Sequence, residues 1–146
     1  MADKPQLDPQ LVQDFVRAAH GNLERVTTLV AEHPTLVNAA WDWGGGDWES
    51  GLGAAAHTGR REIAEFLLAR GARMDVFAAA MLGHLDLVRA HLAAAPSALT
   101  APGPHGIPLL THAKMGGELA RPVLDYLQGL LDGRVTIAPT AGATKS

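Results

Sequence analysis

The chain has 146 residues, enough for one domain that buries roughly 70% of the surface its unfolded form exposes. Hydrophobic residues make up 47% but aromatics only 5%, an Ala-, Leu- and Val-rich mixture that suits stacked helices better than a β-sandwich. A net charge of −3 offers a nucleic acid no clustered basic surface, and the lack of cysteine excludes disulfides, thiolate metal sites and cysteine nucleophiles.

At the N-terminus, Met1–Gln6 lacks the apolar core of a secretory signal. No stretch approaches the ~18 apolar residues needed to cross a bilayer. A cytoplasmic chain is expected, with a flexible segment at 1–8 and no membrane contact. Beyond it a small-residue motif, Ala-x-x-Gly, recurs at Ala18–Gly21, Ala56–Gly59, Ala80–Gly83 and Ala113–Gly116. The stretches after the first three glycines, Leu23–Val30, Glu62–Leu68 and Leu85–Leu92, carry apolar residues three and four apart, the spacing of a helix face. Each motif glycine is expected to end a helix in the left-handed conformation, and the alanine before it to let helices approach closely.

The motif glycines lie 38, 24 and 33 residues apart. The first connection is therefore enlarged, the second lacks a finger, and the third is regular. In the last unit Gly117-Glu118-Leu119 fits the register as well as Gly116 does, with Pro122 placed in the first turn of the final helix. His33–Asn38 and Ala95–Thr100 echo each other, each with a proline that stops the preceding helix. The segment 132–146 reads as a mostly disordered tail, with Val135 and Ile137 touching the last helix.

These residues resemble the ankyrin repeat. Ser50–Gly59 follows its Thr-Pro-Leu-His-x-Ala-Ala-x-x-Gly frame, Ala79–Asp86 matches the second half of that pattern, and Leu68–Ala72 looks like a repeat ending. The resemblance spans roughly residues 10–128. It implies an all-α, ankyrin-like helix–turn–helix solenoid of about four repeats, with an enlarged first finger loop, over residues 9–131. The repeats would span about 9–40, 46–71, 72–103 and 104–131. It also implies a protein-interaction module that binds another protein through its concave face, around Gly53, Ala54, Phe77 and Ala78, and through the finger.

The finger, Trp41-Asp42-Trp43-Gly44-Gly45-Gly46-Asp47-Trp48-Glu49, holds all three tryptophans of the chain. Tryptophan brings a large rigid contact area and a donor N–H, so the candidate binding residues are Trp41, Asp42, Trp43, Asp47, Trp48 and Glu49, with Phe77, His105 and His112. Packing of the tryptophans onto the repeats is the competing reading, and the glycine run reads as a flexible hinge. His20 and His57 share nearly the same repeat position, which points to packing or capping, and His84 falls where the ankyrin pattern itself carries His. His105 and His112 are the least explained.

An alternative function is a small-ligand or substrate pocket between the Trp finger and His57, His105 and His112. A metal set could be assembled from His57, His105, His112 and Asp47. No pair shows His-x-x-x-His spacing, however, and neither metal, cofactor nor catalytic residue is expected. No phosphate-binding loop or nucleophile elbow occurs.

Overall fold

Local chemistry starts four of the helices. Side-chain oxygens of Asp8, Asn22, Ser50 and Asp75 accept the backbone N–H groups of Gln10, Arg25, Gly53 and Ala78, which a helix start would otherwise leave unpaired. The computed structural model describes residues 4–138. Residues 1–3 of the expected flexible N-terminus and 139–146 of the expected tail lie outside the described residues.

The described residues are mostly helical and form four successive helix pairs. These are α1 (Pro9–Ala18) with α2 (Leu23–Glu32), α3 (Gly51–His57) with α4 (Arg61–Ala69), α5 (Val76–Leu82) with α6 (Leu85–Ala94), and α7 (Leu109–Met115) with α8 (Arg121–Leu131). The first helices of the pairs pack in a row, α1 on α3, α3 on α5 and α5 on α7; behind them α2 packs on α4 and α6 on α8. Alanines make the front row tight: Ala54, Ala55, Ala56, Ala78, Ala79 and Ala80 are all buried. The two echoing proline segments each open a short 3-10 turn, Pro34–Asn38 and Pro96–Leu99.

Only the first connection carries a hairpin among the described residues. Strands β1 (Ala40–Asp42) and β2 (Trp48–Ser50) pair antiparallel, with Trp41 opposite Glu49 and Asp42 opposite Trp48. The glycine run is not the expected hinge. Gly44, Gly45 and Gly46 all have positive φ, and the Asp42 carboxylate accepts the N–H groups of Gly44 and Gly46 at 2.8 and 3.0 Å, so the run is a tied turn.

The left-handed glycine stop is also not universal. Gly59 and Gly83 adopt it, but Gly21 does not, and in the last unit it falls on Gly117 rather than Gly116. At the first position α1 tightens into 3-10 bonding through His20 and Gly21, and Asn22 then caps α2 directly. At the last, a 3-10 turn over Gly117–Ala120 intervenes, and Pro122 falls in the first turn of α8. The inner positions expected to line a concave face are covered. Ala54 and Ala78 are buried in the core between the front-row helices, and the 100–108 connection folds back with Pro104 against the buried Gly53 and Gly103 against Phe77.

Two glycines separate conformational strain from crowding. Gly71 (φ 97°) faces open space, whereas a Cβ on Gly59 (φ 68°) would lie 2.6 Å from the Met115 carbonyl oxygen. Gly71→Ala should cost about 1 kcal/mol of unfolding free energy, and Gly59→Val at least ~3 kcal/mol, read from urea midpoints. Equal losses would place the strain elsewhere.

Candidate metal centre

Alternation along β2 turns neighbouring side chains to opposite faces. Trp48 therefore faces outward, 61% exposed, and Glu49 faces the helices with its carboxylate fully buried. Ser50 follows at once as the cap of α3, so Glu49 is fixed between a strand pair and a helix start. A buried carboxylate must be compensated where it lies. Four side chains do this. The Trp43 indole donates to Oε1 at 2.8 Å, and three imidazoles aim Nε2 at the same group: His20 at 3.2 Å from Oε1, His57 at 2.9 Å and His105 at 3.2 Å from Oε2.

The imidazoles come from three places. His20 lies just past the end of α1, and His57 is the last residue of α3, so both sit at helix C-termini, where the backbone dipoles favour positive charge. His105 reaches in from the 100–108 connection. It is the one non-glycine residue with positive φ (59°) among the described residues, a conformation that costs about 1–2 kcal/mol. Asp47 holds it there, accepting the His105 backbone N–H at 2.8 Å and its Nδ1–H at 2.7 Å.

The partners of the other ring nitrogens define the state of the cluster. His20 Nδ1 lies 3.0 Å from the Val16 carbonyl oxygen, an acceptor only, so it carries the proton there. His105 Nδ1 likewise donates to Asp47. In a neutral ring, Nε2 of both residues is then a lone pair facing a carboxylate, which is repulsive unless a proton or a cation lies between. Among the described residues, Oε2 of Glu49 and Nε2 of His57 make no directed hydrogen bond, although they lie 2.9 Å apart. The four donor groups thus crowd a common centre, every donor atom within 4.8 Å of every other, without pairing along hydrogen-bond directions.

Charge preferences agree with this geometry. Burial pushes the Glu49 carboxyl up, but the contacts from His20, His57 and Trp43 outweigh it and hold the group well below the usual carboxylate range. The Glu49 contact raises His20 above an ordinary imidazole. The His105 backbone N–H, followed by its ring, keeps Asp47 ionised.

Of the residues expected at a site, Asp47, Glu49 and His105 converge, and Trp43 supplies a donor. Trp41 packs against the apolar core built from α1–α5, and Asp42 ties the finger turn. Phe77 stacks on His112 at 4.7 Å, away from the carboxylate. His112 is fully buried, bonded through Nδ1 to the Pro108 carbonyl at 2.9 Å, and burial lowers its pKa. It does not join the cluster, so the set assembled on paper from His57, His105, His112 and Asp47 is replaced by His20, Glu49, His57 and His105. His20, expected only to pack or cap, is the donor that chain reading missed. Its signal was the repeat position it shares with His57, which stacking turns into adjacency, with ring centroids 5.1 Å apart.

Comparison with family models, curated proteins and solved structures finds no match to this chain. The site therefore rests on its own geometry.

Removing the central carboxylate leaves the imidazoles facing a void. In the presence of a chelator, Glu49→Ala should lower the unfolding free energy by about 2–3 kcal/mol at neutral pH. A loss under ~0.5 kcal/mol, measured by urea unfolding, would mean that Glu49 does not organise the cluster.

Proposed function

We propose that this chain binds a divalent transition-metal ion through His20, Glu49, His57 and His105, on a stack of four ankyrin-like repeats. The observation that carries the reading is the convergence of three Nε2 atoms on one buried carboxylate, two of them in rings whose Nδ1 proton is already committed. That tautomer is the one that offers Nε2 to a metal, and a partner holding the far nitrogen is the usual outer-shell arrangement of a metal-ligating histidine. Donors bound at 2.0–2.1 Å in a tetrahedron stand about 3.3 Å apart. The Nε2-to-carboxylate separations of 2.9–3.2 Å are already close to that edge.

Three imidazoles and a single carboxylate suit zinc and its transition-series neighbours, whereas magnesium and calcium want mostly oxygen. Room between the rings also favours an ion over an organic ligand: His57 stands 5.1 Å from His20 and 5.2 Å from His105, centroid to centroid. The ankyrin-like frame draws support from the four helix pairs and the single hairpin feeding the second pair.

A saturating ion that binds only the folded chain stabilises it by about 2.7 kcal/mol at a hundredfold excess over Kd, or roughly 5–10 °C in Tm. Zinc, cobalt and nickel should give such shifts on chelator-treated protein, magnesium and calcium none, and His57→Ala should abolish them. Indifference to all the transition metals would end the proposal.

The outward Trp48 supports a second role, docking of a protein partner on the finger. Trp48→Ala should then remove partner binding, read as co-elution of a purified candidate, and leave zinc affinity unchanged. Binding indifferent to Trp48 would rule out the finger as the docking edge.

A further inference from the structure

The donors do not come from one part of the molecule, and their distribution says more than their number. Among the described residues the interior holds two apolar clusters. One gathers Phe15, Leu29, Leu52, Leu67 and Met81 from α1–α5; the other gathers Val88, Leu92, Leu109, Val123 and Leu127 from α6–α8. Helix α5 is the seam, with Ala78, Met81 and Leu82 in the first cluster and Val76, Ala79 and Ala80 in the second. Much of that seam is alanine, whose methyl groups bury little area per contact.

Three of the four donors, His20, Glu49 and His57, stand on the first side of the seam. The fourth, His105, stands on the connection that enters α7 of the second. In a stack of repeats stability propagates largely from neighbour to neighbour, and here one direct contact skips a unit, α3 on α7, with Gly59 against the Met115 carbonyl. His20 and His105 belong to the first unit and to the entrance of the fourth. At the finger the 100–108 connection is held by the hydrogen-bonded grip of Asp47 on a strained His105, beside the contact of Pro104 with Gly53.

The shell is supplied by the chain itself, with His20 and His105 on its solvent side at 28% and 30% side-chain exposure. Glu49 and His57 form its floor, and the Trp43 ring stands 6.2 Å from His20 and 6.3 Å from His105. Four protein donors with an aromatic wall match a four-coordinate structural centre rather than one that keeps an open position.

We infer that the ion serves as a clasp: a four-coordinate, zinc-class centre that ties the His105 connection, and with it the α6–α8 core, to the finger and the α1–α4 core. This rests on the metal-binding reading above. It adds that occupancy fuses two separately opening halves into one cooperative unit.

The chain carries suitable reporters. All three tryptophans lie on the finger, beside the first core, while α7 and α8 make up much of the second. The full-length protein would be compared with zinc and with a chelator, following tryptophan emission and amide hydrogen exchange of residues 109–131 across a urea series. Cobalt absorption would report coordination number. With the chelator, 109–131 should open at lower urea than the tryptophan transition. With zinc the two should coincide, exchange of 109–131 should slow at least tenfold, and cobalt should give intense four-coordinate bands. His105→Ala should keep weakened zinc binding but lose the effect on 109–131.

Coincident transitions without metal, or a gap that zinc leaves unchanged, would overturn the clasp while leaving metal binding standing. A weak six-coordinate cobalt spectrum would overturn the four-donor shell. Absence of zinc binding would overturn both readings. The comparison of zinc with chelator needs no variant, so a misfolded His105→Ala would not obscure it.

Discussion

A carboxylate without solvent is the constraint from which the rest of this molecule can be read. Glu49 is buried completely, and an isolated charge in that position would cost several kcal/mol even after relaxation. The surrounding structure answers that cost from every side. The indole of Trp43 comes from the same hairpin, two imidazoles come from helix ends, and a third is carried in on a backbone held at positive φ. Strain of that kind persists only where neighbouring groups over-determine it, and here Asp47 does so with two short hydrogen bonds. The imidazoles would be expensive companions for one another without the carboxylate, and the carboxylate without them.

Backbone spacing makes the convergence achievable. His20 and His57 end successive front-row helices, and their rings can meet only because alanines line the contact between those helices. Gly51 extends the same close approach, since a Cβ there would run into the Phe15 ring. Small residues therefore have two effects that act at different levels. They lower the separation of the helices, and through it they set the separation of the donor atoms at the helix ends. A bulkier front row would still form helices and still bury a core, but it would leave the imidazoles too far apart to surround one carboxylate.

Much of the architecture was legible in the chain, and the reasons are local. Ala-x-x-Gly and the paired proline segments act on the backbone within a few residues of where they stand, so helix ends and turns followed from them, whereas the caps at Ser50 and Asp75 emerged only in the structure. The unequal finger lengths were legible as well, as gaps of 38 and 24 between motif glycines. The site was legible only in pieces. Glu49 and Asp47 drew attention because they lie in the tryptophan-rich finger, and His105 because its loop position had no packing role to explain it. His20 did not, because its repeat position offered a sufficient structural reason, and His112 was drawn in by its neighbourhood to His105 in sequence. No ligand-spacing motif marks the cluster, for a simple reason: the donors are 29, 8 and 48 residues apart, and each comes from a different element. What brings them together is stacking, and the distances that stacking produces are not written in any one segment.

The two irregularities of the repeat series then turn out to be parts of one arrangement. The enlarged first connection supplies the hairpin that carries Trp43, Asp47 and Glu49 toward the front row. The second connection is cut to the six residues between Ala69 and Val76, so no hairpin stands beside the first one. The 100–108 segment therefore folds back across the inner helices, past Phe77 and Gly53, until His105 meets Asp47, 58 residues away in sequence. A regular finger in the second position would occupy that path. The long finger and the missing one are thus complementary: the first delivers the acid, and the absence of the second admits the histidine that completes the ring around it.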